Sequence, residues 1–213
     1  MTIKEKKKLV KDLLKRDKLT GASIPLYQHI PQLEKYLGGI KGGRNCEQRA
    51  KDQEFDKYDF KGKTVLDFGA DNGMMMNECY KRGAKLTVGI QHPEVGDEAK
   101  RVAKLLGNKS AKFYGIDLTT ATLKTIRGAV GIKQFDVVLY LGMGSFFGTY
   151  RDYLFNLTKD MLMYERLAGN ADKVVDIVKW LKKGFKKVEV LGPNKDLDLD
   201  YFPESSTIIR AKK

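Results

Sequence analysis

From residue 61 onward the chain alternates short apolar runs with segments of helical length, and that alternation constrains its fold more than any other feature. Strands are expected at 63–67, 86–90, 111–114, 135–141, 161–164, 185–191 and 206–211. Helices are expected at 74–82, 96–106, 123–130, 150–157 and 171–182, three of them closed by Gly83, Gly107 and Gly184. Strands separated by helices of about ten residues build a parallel sheet covered on both faces. The last two strands are joined by a loop, which points to an antiparallel hairpin at one edge. With 42% hydrophobic residues in 213, the chain carries a real core, and no apolar run approaches the roughly 18–20 residues needed to cross a bilayer.

The first 60 residues read differently. Residues 1–18 form an amphipathic helix, with Ile3, Leu9, Val10, Leu13 and Leu14 on one side. Eight basic residues there, including Lys4, Lys8, Lys11, Lys15, Arg16 and Lys18, outnumber three acids for a local charge of +5. Two readings stay open: a solvated face on a helix docked by its leucines, or an electrostatic arm for RNA or DNA. A membrane-surface helix is disfavoured, because no Trp or Phe sits on the apolar side. Residues 19–46 are an irregular connector rich in Gly and Pro, with a short helix at 31–36 and a loop histidine, His29; residues 46–57 are polar and helical. The whole chain carries +13 with a pI near 9.5, which fits either a nucleic-acid partner or a solubilising surface. A second basic group, Lys173, Lys179, Lys182, Lys183, Lys186 and Lys187, lies far from the first in sequence. The start lacks the apolar core of a secretory signal, and Cys46 and Cys79 with His29 and His92 make neither a disulfide framework nor a zinc cluster. A reduced cytoplasm is the expected compartment.

The most informative stretch is Val65-Leu66-Asp67-Phe68-Gly69-Ala70-Asp71-Asn72-Gly73, an apolar strand that ends in an acid and a glycine turn opening a helix. Its D-x-G-x-x-x-G spacing is neither the dinucleotide fingerprint nor the phosphate loop, and an acid beside the turn suits a ligand with an amino group better than a pyrophosphate. With this motif the chain resembles the class I S-adenosylmethionine-dependent methyltransferases. KGKTVLDFGADNG is similar to that family's first motif, FDVVLYLG to its fourth strand, MLMYER to its fifth, and GFKKVEVLG with STIIRAKK to its closing pair. GGRNCEQRAKDQEFDKYDFKGK resembles the lead-in of some members. The resemblance implies an α/β, Rossmann-like three-layer sandwich with a seven-stranded, mostly parallel sheet over residues 61–213, and an N-terminal helical extension or cover over 1–60.

It also implies roles. Gly69, Ala70, Asp71, Asn72 and Gly73 would cradle the methionine part of S-adenosylmethionine, with Asp67 meeting its amino group. The ribose position, an acid in the family, is Gln91 here, 24 residues after Asp67. An amide is a weaker acceptor than a carboxylate, and His92 stands beside it to compensate. Asp117 and Leu118 would meet the adenine; otherwise Asp117 is a turn residue. Tyr140, Leu141 and Gly142 end the fourth strand at the pocket wall. Arg44 and Arg49 are placed to reach the cofactor's carboxylate. The motifs of base-amino, cytosine-C5 and ribose 2′-O methyltransferases are absent. Alignment of an already activated methyl donor supplies most of what such a reaction needs, and Glu165 and Tyr140 are the candidate catalytic groups; for Glu165 a salt bridge is the competing reading. The expected activity is methyl transfer to N or O of an unidentified acceptor, with RNA or DNA favoured over a small molecule by the charge and no membrane partner. The alternative is a non-catalytic cofactor- or RNA-binding module on the same fold.

Overall fold

The structure, a computed structural model, describes residues 1–19, 26–40, 43–93, 96–143, 147–166, 173–195 and 206–213. Its strands are β1 Thr64–Phe68, β2 Leu86–Gln91, β3 Ala111–Gly115, β4 Phe135–Leu141, β5 Thr158–Arg166, β6 Lys187–Pro193 and β7 Thr207–Lys212. They form one seven-stranded sheet in the order β3-β2-β1-β4-β5-β7-β6. The first five run parallel, and β7 enters antiparallel between β5 and β6. The expected α/β sandwich with its closing antiparallel pair is therefore the fold observed. Strand order reverses between β1 and β4, the position beyond whose carboxyl ends open α/β sheets commonly bind ligands.

Alternation along each strand divides the core. Leu66, Phe68, Val138, Tyr140, Leu162 and Tyr164 face α5 (Leu123–Val130), α6 (Phe147–Leu157) and α7 (Val174–Leu181). Val65, Val137, Leu139, Met161 and Met163 face the other way, toward α1 (Ile3–Leu19), α2 (Cys46–Asp52), α3 (Met74–Lys81) and α4 (Gly96–Leu106). At the amino ends of the strands Asp136 staples its two neighbouring strands through three bonds: it accepts from the Thr64 N–H at 2.8 Å, Thr64 Oγ1 at 2.9 Å and Lys159 Nζ at 2.9 Å. Burial pushes its carboxyl up, but these donors outweigh that and bring it down to about 2.

Several boundaries differ from expectation: the strand expected at 161–164 spans Thr158–Arg166, and the helical stretch expected at 46–57 divides into Cys46–Asp52 and a short 3-10 turn at Phe55–Lys57. The helix expected at 150–157 begins three residues earlier at Phe147, and the one expected from 171 begins at Val174, residues 171 and 172 lying outside those described. The strand expected at 185–191 begins at Lys187, because Phe185 is spent on the core, its ring 5.6 Å from that of Phe155.

Helix α1 is docked. Leu9 and Leu13 are fully buried and Val10 nearly so, and Asp12 accepts from Arg101 of α4 at 2.7 Å. Its partners lie on the opposite face of the sheet from α7, so the basic residues of 1–18 and those of 173–187 do not share one face. Leu13→Ala should cost about 2–5 kcal/mol of stability, read as a lower midpoint in chemical denaturation; a free arm would show no change.

Candidate functional site

The site is built from the carboxyl end of β1. Gly69 and Ala70 donate their N–H groups to the Ile90 carbonyl at 2.8 and 3.2 Å, which pins the turn against β2. Gly89 makes this approach possible: a Cβ there would stand 2.7 Å from the Ala70 Cβ and 2.8 Å from Met76 Sδ. Asp71 takes a left-handed φ of 49°, and Gly73, at φ 74°, starts α3. The first N–H of that helix, Met74, is capped by Gln28 Oε1 at 3.3 Å.

Asp67, one residue before the end of β1, is 3% exposed, on the face shared with α1–α4. Burial pushes its carboxyl up to about 7; the positive charge of Arg49 pulls the other way and the charge of Asp71 adds to the rise. Beside it, α1 reaches into the turn. Arg16 Nη1 donates to Asn72 Oδ1 and Nη2 to Asp71 Oδ1, both at 2.7 Å. Its Nε donates to Asp17 Oδ1 at 2.7 Å, and Asp17 Oδ2 accepts from the Tyr27 N–H at 3.1 Å. Asp71 Oδ2 and Asn72 Nδ2 are buried with no hydrogen-bond partner among the described residues. Burial raises the Asp71 carboxyl to about 6 against the pull of Arg16.

Along the same edge, Gln91 ends β2, buried, with its carbonyl accepting from the Ile116 N–H at 2.9 Å. His92 is exposed and close enough for its charge to act on Asp117. Asp117 Oδ1 accepts from the N–H and hydroxyl of Thr119 at 2.8 and 2.6 Å, a side-chain turn. Leu118 is buried and its carbonyl accepts from the Tyr150 hydroxyl. Beyond β4, the Gly142 N–H donates to the Glu165 carbonyl at 3.3 Å, and Leu141 is buried. Phe146 and the side chain of Phe147, aromatics that follow β4 in the sequence and could line a substrate mouth or cap the core, lie outside the described residues.

The two catalytic candidates are not brought together. Tyr140 faces α5–α7: its ring stacks on Tyr164 at 5.6 Å, its hydroxyl donates to the Met143 carbonyl at 3.0 Å, and burial drives the phenol well above its usual range. Glu165 has no exposed surface. Its Oε1 accepts from Arg44 Nη2 at 2.8 Å and Ser206 Oγ at 2.9 Å. Its Oε2 accepts from Arg49 Nε at 2.8 Å, Arg49 Nη2 at 2.5 Å and Asn194 Nδ2 at 3.0 Å. Burial alone would raise this carboxyl, but Arg49 and Arg44 overwhelm it and hold it down at about 2.

Several residues of this neighbourhood escape sequence reasoning. Gln28, Asn194 and Ser206 carry no motif and are joined to the site only through space. Arg16 had a signal: positions 9, 13 and 16 fall on one helical stripe, so the guanidinium continues the buried leucine line instead of the solvent face.

No family model and no curated protein sequence matches the chain. Solved structures do. Magnesium protoporphyrin IX methyltransferase (ChlM) from Synechocystis PCC 6803, with bound SAM, superposes with a TM-score of 0.57 at 17% identity, over 79% of this chain and 77% of that one. The N-terminal domain of EvdMO1 with SAH bound superposes at 0.61 and 12% identity, over 95% and 96%. The bifunctional kinase-methyltransferase WbdD superposes at 0.63 and 17% identity, over 92% of this chain and 45% of WbdD. At such identities the likeness is one of architecture: the chain has the class I S-adenosylmethionine-dependent methyltransferase fold.

Proposed function

We propose that the chain is an S-adenosylmethionine-dependent methyltransferase, acting on N or O of an acceptor for which the net charge of +13 favours nucleic acid over a small molecule. The observation that carries this reading is Asp67: a buried carboxyl near the carboxyl end of β1, beside the left-handed glycine turn of Gly69 and Gly73, whose ionised form calls for a cation. The neighbouring buried Asp71 Oδ2 and Asn72 Nδ2 have no hydrogen-bond partner among the described residues, which fits a polar group lying over the turn. When bound, the cofactor supplies a sulfonium methyl that an acceptor lone pair takes up while the carbon–sulfur bonding electrons return to the thioether.

The chain's own residues bind and orient. Asp67 holds the amino group, and Gly69, Ala70 and Gly73 let the backbone pass beneath the methionine part. Gln91, with His92, offers the ribose one carbonyl acceptor and amide donors. Asp117 and Leu118 meet the adenine, and Tyr140, Leu141 and Gly142 wall the pocket. Glu165 and Tyr140 are positioning groups in this reading, since one is saturated by arginines and the other is packed under the opposite face. Arg49 spans from Glu165 toward Asp67 and keeps the acid edge in place. Arg16 is a further positioning residue, because its fork sets the two side chains of the turn. Residues 61–213 carry the cofactor sheet, and residues 1–60 complete its cover. The same burial of both candidate bases favours a second reading, a non-catalytic cofactor- or RNA-binding module. Incubation with methyl-labelled cofactor and pools of RNA, DNA and metabolites separates the two: label in any acceptor supports the enzyme, and cofactor binding without transfer supports the module.

Three outcomes are expected. Between pH about 4 and 7 the folded chain keeps a proton on Asp67 that the unfolded chain has lost, so stability contributed there falls as pH rises. Cofactor affinity, measured by calorimetry, should rise up to pH about 7 and level off above it, and Asp67→Asn should bind weakly with a flatter profile. Arg16→Met should raise the cofactor dissociation constant roughly ten- to a hundredfold, for loss of charge-assisted bonds worth about 1.5–3 kcal/mol. Arg16→Lys should recover part of it, with KM for the cofactor moving more than kcat. Glu165→Gln should destabilise the fold by about 3–5 kcal/mol by leaving two arginines buried against a neutral amide. The stability that Glu165 contributes is present above its ordinary pKa of 4.5 and lost as pH falls toward 2, so the variant's stability should be flatter across that acid range.

A further inference from the structure

The outer face of α1 is organised as well as its inner one. Lys4, Lys8, Lys11 and Lys15 stand at i, i+4, i+7 and i+11, which places them in one line along the helix, and all four are exposed, as is Lys7 beside them. The line is about 16 Å long at 1.5 Å per residue, with successive ammonium groups one turn apart. No ion pair within 4 Å involves any of these lysines among the described residues. The acids of the helix are used elsewhere: Asp12 on Arg101, Asp17 on Arg16, and Glu5 on the Thr2 N–H.

This arrangement works against folding. Like charges at i, i+4 repel by about 0.2–0.5 kcal/mol per pair, and cations in the first turns oppose the helix dipole. A merely soluble surface would intersperse the two signs. The helix is also anchored by Leu9, Leu13 and the Arg16 fork, so the line of lysines has a set direction relative to the sheet. Its apolar side, apart from the exposed Ile3 at its start, is spent against the protein, so Leu9, Val10 and Leu13 are not available to a bilayer interface. Its carboxyl end touches the glycine turn through Asp71 and Asn72, so a strand following the line is led toward the edge of the sheet where the pocket lies.

We infer that the Lys4–Lys8–Lys11–Lys15 line is a docking surface for the phosphodiester backbone of a nucleic acid. It deepens the methyltransferase reading by naming where a polyanionic acceptor is held, and it rests on that reading only for its purpose. One lysine per turn is suited to contacting successive phosphates as point charges, without reading base sequence.

The test uses the full chain, a Lys4→Gln/Lys8→Gln/Lys11→Gln/Lys15→Gln variant, and a control with the same charge loss on the opposite face, Lys179→Gln/Lys182→Gln/Lys183→Gln/Lys186→Gln. Fluorescence anisotropy with a labelled 20-nucleotide single-stranded RNA and a 20-base-pair DNA duplex is followed across a salt series. Phosphatidylserine vesicles and polyglutamate serve as competing polyanions. The unmodified chain should bind nucleic acid, and the α1 variant should lose at least about tenfold at low salt. Its log–log salt slope on the single strand should fall by about 3, at roughly 0.7 per phosphate contact. The control should lose much less. No binding by the unmodified chain, equal losses in the two variants, or vesicles or polyglutamate bound as tightly as RNA would each overturn the inference. Cofactor calorimetry on the same samples reports separately on the methyltransferase reading: it should be unchanged by the lysine substitutions, and its failure in the unmodified chain would sink that reading while leaving the docking result intact.

Discussion

A carboxylate sealed from water must find its full complement of donors inside the protein, and Glu165 imposes that demand on the rest of this structure. It sits at the end of β5, and the groups that satisfy it come from four separate places: Arg44 before α2, Arg49 within α2, Asn194 after β6 and Ser206 before β7. The N-terminal cover and the closing strand pair are thereby fixed to the same two oxygens. Arg44 also belongs to the small parallel bridge with Gln28, and Gln28 caps α3. One buried charge is thus connected, through contacts of ordinary length, to the start of the helix that the glycine turn opens.

The turn itself is governed by a different balance. Asp67, Asp71 and Asp17 bring three carboxylates into a region with little water, and Arg16 and Arg49 supply the opposing charge. The arginines do not neutralise the region evenly. Asp17 and Asp71 are bonded by Arg16, whereas Asp67 is influenced by Arg49 only through its field, and its carboxyl stays well above the usual range. The acid left with least compensation is Asp67, in the strand where the order of the sheet reverses.

What the sequence disclosed follows the range of the interactions. β1, its acid and its turn are local: an apolar run, an aspartate and two glycines within nine residues, all legible by period and spacing. The two-sided burial of β4 is equally local, seven residues with no polar face apart from Asp136, which is used as a staple. The helix of residues 1–18 was legible as amphipathic, with docking by its leucines as one of two readings, but the partners of Arg16 were not, because Asp71 and Asn72 lie 55 and 56 residues beyond it. Glu165 was legible only as an acid at a strand end. Its partners stand 116 and 121 residues earlier and 29 and 41 later, and no periodicity connects them. The late start of β6 belongs to the same class: Phe185 has strand-like character, and tertiary packing against Phe155 claims it first.

The position of β7 sets an order of assembly. β6 precedes β7 along the chain, yet it joins the sheet only through β7, which pairs with β5 on its other side. As the polypeptide leaves the ribosome, β1 to β5 can pair as they emerge, while β6 has no partner and the edge of β5 stays open. Until residues 207–212 arrive, that edge presents unpaired amides and carbonyls along a strand rich in Met, Leu and Tyr, the kind of surface on which chaperones act or neighbouring nascent chains pair. The six residues of β7 therefore act as a keystone, and the interval before their insertion is the period in which this fold is most vulnerable to aggregation.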